Sequence, residues 1–80
     1  SRLKIVRAHA VMQPMADYQT THGKPSDDAP RVQESETLSH LIQLSINVDL
    51  PIVVQEKGID VGVVTRRDIL QVIVEGAETS

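Results

Sequence analysis

The stretch Gly62-Val63-Val64-Thr65-Arg66-Arg67-Asp68 brings together a hydroxyl, two guanidinium groups and a carboxylate behind a glycine. It reads as a strand running into a helix, with Thr65 at the cap and Asp68 three residues later. One reading is purely structural. Thr-x-x-Asp is a variant of the capping box, in which Thr65 accepts from an early backbone N–H and Asp68 reaches back toward the cap. Asp68 would also complement the positive end of the helix. The other reading uses the same atoms on a ligand. A phosphate would rest on the first-turn amides with the Thr65 hydroxyl. The Asp68 oxygens would take both hydroxyls of a ribose, and Arg66 or Arg67 would add charge against phosphate. Gly62 lets backbone or ligand approach closely. Spacing alone does not separate a cap from a ribose clamp.

Other reactive side chains form no comparable group. His9, His22 and His40 share no helical face, so they read as surface or structural histidines rather than metal ligands. Gly23-Lys24 is followed by Pro25 and lacks the preceding glycine of a Walker A loop, so ATP hydrolysis by this chain is not expected. Cysteine is absent, which excludes a thiol nucleophile and a disulfide scaffold. Nothing marks another nucleophile. Met12 and Met15, on either side of Pro14, read as core or interface filler.

The elements that must position the Thr65 segment come from a chain of 80 residues, 24 of them Val, Ile or Leu, with Tyr18 the only aromatic. Fourteen of the 24 fall between residues 48 and 74. A domain this small buries only about 60% of its unfolded surface, so a partner would help complete its core. No apolar run approaches the roughly 20 residues of a bilayer-spanning helix. No signal-peptide pattern opens the chain, Ser1 without Met suggests a fragment or processed chain, and a cytoplasmic location is expected. Residues 1–24 carry a net +3 and residues 25–80 a net −6. The total of −3 argues against a nucleic-acid partner, and the basic lead-in is a thin signal for a membrane surface or phosphates beside the reading of a solvated surface.

The chain divides into a lead-in over 1–14, a flexible surface loop over 15–30, a folded body over 31–75 and a polar tail over 76–80. The lead-in places Leu3, Val6 and Ala10 at helical spacing and ends before Pro14. Residues 15–30 contain no Val, Ile or Leu and are dense in turn formers, so they should not offset their ordering entropy. In the body, a short strand near Arg31-Val32-Gln33 precedes a helix over 36–46 capped by Ser35. Its apolar face would be Leu38, Leu41, Ile42 and Ile46. Two β-branched runs, Pro51–Gln55 and Asp60–Val64, face each other across Gly58 as a hairpin. A helix from Thr65 carries Ile69, Leu70, Val72 and Ile73 and stops at Gly76. The order is β-α-β-β-α, an α/β (α+β) unit with a small sheet packed by two helices. Near-continuous apolarity of both strands implies cover on both faces, or one face meeting another chain.

Residues 31–74 resemble a single cystathionine-β-synthase-type repeat, the CBS motif. The matching marks are Glu36-Thr37-Leu38 opening the first helix, Leu50-Pro51-Ile52-Val53-Val54 as the middle strand, and Gly62 through Leu70 as the signature. Val11-Met12-Gln13-Pro14 is similar to the family's Met-x-Pro lead-in. The resemblance implies a unit that pairs with another through its sheet surface and acts as a regulatory module. It also implies an adenine nucleotide (AMP, ADP or ATP) in the cleft between two such units. By position, Thr65 would touch phosphate and Asp68 the ribose, while Pro51, Ile52 and Val53, with Met12 nearby, would hold the base. Two departures stand out. The 15–30 segment is long, and no aromatic is available to stack on a purine.

A lone repeat behind a basic lead-in also resembles the C-terminal tail of ATPase subunits from ABC importers of quaternary amines such as choline or glycine betaine. That resemblance implies osmoregulatory control and membrane transporter subunits as partners. The expectation is therefore a non-enzymatic homodimer that binds an adenine nucleotide. The alternative is a ligand-free sensor of ionic strength or a subunit-interaction domain.

Overall fold

The computed structural model describes residues 6–48 and 51–79, with side chains to residue 75. The elements are α1 (Ala8–Val11), β1 (Gln13–Pro14), α2 (Met15–His22), β2 (Arg31–Gln33), α3 (Leu38–Asn47), β3 (Ile52–Glu56), β4 (Ile59–Val64) and α4 (Arg66–Thr79). From Arg31 onward this is the expected β-α-β-β-α order. The sheet runs β1-β4-β3-β2. β2 and β3 are parallel, joined through α3, while β3–β4 and β1–β4 are antiparallel. A parallel pair needs such a crossover, and a ten-residue helix supplies it.

The hairpin between β3 and β4 closes on Lys57 and Gly58, with φ of 53° and 81°. Positive φ at both central residues is the geometry whose twist matches the flanking strands. The cost falls on Lys57, because only glycine adopts such φ freely.

Both faces of the hairpin are covered within one copy. Ile52, Val54 and Val64 join Leu41, Ile69, Val32, Ala8 and Val11 in the main core. Val53 and Val63 are register partners pointing to the opposite face, outside that cluster, and both are 0% exposed. The segment expected to be a loop supplies their cover: α2 packs on β4, and Tyr18 and Ala29 are its buried residues. Of the two alternatives for the apolar strands, cover on both faces within one copy is the one the structure shows.

The loop expected over 15–30 is corrected for its first half. Met15–His22 is helical. Asp17 sits in the first turn, where a carboxylate suits the helix end. Gly23, at φ 76°, ends the helix by donating its N–H to Gln19 O at 2.9 Å. One large buried ring anchors this helix in place of branched aliphatics. Residues 23–30 contain neither helix nor strand.

Smaller differences follow the same physics. The cap of α3 is Thr37, accepting from His40 N at 3.4 Å, rather than Ser35. Ser35 lies in the turn leaving β2, where its carbonyl accepts from Arg7 at 2.7 Å. Ile46, expected on the buried face of α3, is 76% exposed. The lead-in helix is the single turn α1, its buried residues being Ala8 and Val11; Leu3 lies outside the described residues. α4 continues through Gly76 to Thr79, since a glycine costs a helix only about 1 kcal/mol relative to alanine.

Candidate functional site

The Thr65 turn is a capping box with an additional partner. Asp68 Oδ2 accepts from Thr65 N at 2.9 Å and from Thr65 Oγ1 at 2.8 Å. The Asp68 N–H donates back to Thr65 Oγ1 at 3.3 Å. Gln13 Nε2, on β1, donates to the same Oδ2 at 3.1 Å. The carboxylate thus ties the start of α4 to the lead-in strand, and these three donors converge on one of its oxygens.

Beside this turn lies a cavity of about 320 Å³. It forms where β3 begins, with Pro51 and Ile52, and where β4 runs into α4 through Val64, Thr65 and Arg66. Ser45 and Val48 close it from the end of α3, and Ile69 from the first turns of α4. From α2 come Tyr18 and His22, their rings stacked with centroids 4.8 Å apart and planes 21° from parallel. Arg66 is fixed in part by donating to Ser45 O at 3.3 Å. A cation, a hydroxyl and a helix start therefore share one hollow with an apolar wall, a combination that suits an anionic ligand with a flat apolar part.

Of the residues singled out in the sequence, the structure brings Thr65, Arg66, Pro51 and Ile52 to this cavity. Asp68 stands behind Thr65 in the cap, and Arg67 is exposed and does not line the cavity. Val53 is buried on the opposite face of the sheet. Gly62 serves a backbone approach: a Cβ there would meet Gln13 O at 2.8 Å and Met12 Cγ at 2.9 Å, with Met12 Sδ closer still. Met12 therefore packs over Gly62 rather than in the cavity. Sequence reasoning missed Tyr18 and His22, and the expectation that no aromatic is available is corrected. Their i, i+4 spacing is the available signal, obscured because α2 carries no branched aliphatic residue to mark it as a helix.

Away from the cavity, the Glu36 carboxyl is held below the ordinary glutamate range by the hydrogen bond from His40 Nδ1 at 2.8 Å and by the Thr37 N–H at 3.1 Å. It supports the start of α3 and plays no part in the cavity. Among the described residues, no three His, Asp or Glu side chains gather as a metal site. No helix there is long and apolar enough to cross a membrane.

Residues 17–75 match the CBS domain family, well over half of the chain. The protein belongs to that family, whose domains are typically non-catalytic regulatory modules, commonly bind adenine nucleotides and commonly pair in dimers. The match begins inside α2, so the family unit includes most of the segment that covers the second sheet face. Comparison with curated proteins and with solved structures returned no match.

Proposed function

We propose that this chain is a regulatory unit that takes an adenine nucleotide in the cavity beside the Thr65 turn. The observation that supports it is the shared placement of Thr65, Arg66, Pro51 and Ile52 around one hollow at a helix start. Arg66 and the first-turn amides of α4 hold phosphate, and Pro51 and Ile52 pack on the base. Thr65 has one hydroxyl proton, now given to Asp68. Donating it to phosphate releases part of Asp68 Oδ2 for a ribose hydroxyl, so binding exchanges a cap for a clamp.

Pairing belongs to the same reading. Among the described residues, the large apolar side chains left for a second copy are Ile46 on α3, Ile59 at the start of β4, and Leu70, Ile73 and Val74, which form a stripe by spacing, on α4. Sedimentation equilibrium should show a dimer at high micromolar concentration, and a stable monomer there would contradict pairing. The place of the unit at the tail of a quaternary-amine ABC importer ATPase rests on the single repeat behind a basic lead-in. An ATPase domain encoded in the same reading frame would support it, and an unrelated domain would overturn it.

The test of binding is calorimetry with AMP, ADP and ATP on the wild-type chain, Arg66→Gln and Asp68→Ala. Arg66→Gln should bind weakly with its unfolding midpoint nearly unchanged. Nucleotide-insensitive calorimetry in the wild type would leave the Thr65 turn as a helix cap alone.

A further inference from the structure

We infer that the Tyr18–His22 ring pair is the base-reading wall of the cavity, making the site select an aromatic base rather than any sugar phosphate. This rests on the nucleotide reading above and deepens it. The two rings belong to successive turns of α2 and stack at 4.8 Å. Tyr18 is 8% exposed, so its ring is held by burial, whereas His22 is exposed. Both line the cavity. The buried ring therefore holds the plane of the outer one, and a flat imidazole lines the same hollow as the aliphatic groups of Pro51 and Ile52. A planar heterocycle between an aromatic ring and an apolar surface gains stacking that a ribose phosphate lacks, and stacking tolerates any base because each has a π face.

The remaining lining divides the labour. Thr65 and Arg66 offer the donors and charge that a phosphate needs, and neither distinguishes AMP from ribose 5-phosphate. His22 is thus assigned as the specificity-determining contact, with Tyr18 as its positioning residue.

The experiment is calorimetry on the 80-residue chain with AMP and with ribose 5-phosphate, using wild type, His22→Ala, His22→Phe and Tyr18→Leu, each checked for its unfolding midpoint. His22→Ala should weaken AMP about 5- to 150-fold, the range that loss of one base–aromatic stack corresponds to. It should leave ribose 5-phosphate unchanged, and His22→Phe should restore AMP affinity. Tyr18→Leu should weaken AMP through disorder of the His22 ring, and because it can also loosen the fold, the deciding comparison is the one at the exposed His22. Undiminished AMP binding by His22→Ala, or equal loss for both ligands, overturns the inference while leaving the nucleotide site intact. Absence of AMP binding to the wild type overturns the nucleotide reading and this inference with it.

Discussion

Gln13 and Asp68, 55 residues apart in the chain, meet at 3.1 Å, the Gln13 amide donating to the carboxylate that caps α4. That contact joins the lead-in strand to the turn beside the cavity. The same carboxylate oxygen receives the Thr65 amide and hydroxyl. Removing it should therefore loosen two elements together. Asp68→Ala is expected to destabilise the fold by about 1–3 kcal/mol, and Gln13→Ala by about 1 kcal/mol. Urea unfolding of the two single variants and the double variant checks this. Strictly additive effects would mean that the two groups do not interact.

Gly62 is expected to tolerate no side chain. Gly62→Ala would press on the Gln13 carbonyl and on Met12, and should cost about 1–3 kcal/mol. Adding Met12→Ala should relieve only part of that loss, because the Gln13 carbonyl belongs to the paired backbone of β1. Full rescue by Met12→Ala in denaturant titrations would show that the backbone contact is slack.

The order of α2 gives a third expectation. Amides near the end of the helix, such as that of Gly23 bonded to Gln19, should exchange more slowly than those of Lys24, Ser26 and Asp27. Exchange at one uniform fast rate from 15 to 30 would restore the loop that composition suggests.

The contrast between that loop and the helix found there shows where legibility ends. The hairpin, the crossover helix and α4 are readable because β-branched runs and 3.6-residue periodicity repeat over many positions. α2 has no such repetition; a single tyrosine provides its anchor. The site is readable to the same degree. Thr65 and Arg66 stand out by their spacing within one segment. Tyr18 and His22 reach the cavity only because β1 pairs with β4 and delivers α2 beside the Thr65 turn. Local spacing does not separate cap from clamp, since both use the same atoms of Thr65 and Asp68.

The Glu36–His40 pair predicts a pH dependence. Because the folded state lowers the Glu36 pKa, its contribution is present above the unfolded value and is lost as pH falls through the lowered folded value. Glu36→Gln should therefore lower Tm at neutral pH, and the gap should close on acidification below the ordinary glutamate range. A gap independent of pH would assign the effect to packing rather than charge.

Ligand linkage gives a fifth expectation. With Kd near ~10 μM, AMP at ~1 mM should stabilise the chain by about 2.7 kcal/mol. The same addition should leave Tm of a weakly binding Arg66→Gln variant almost unmoved. Equal stabilisation of both chains would place the nucleotide elsewhere.

Nucleotide binding beside the Thr65 turn is read most directly by an amide NMR titration of the whole chain with AMP. Shifts should concentrate at Thr65, Arg66, Ile52, Val48 and His22, the residues around the cavity. Shifts confined to the opposite hollow near Arg7, Glu34 and Glu56, or none at millimolar AMP, would contradict it.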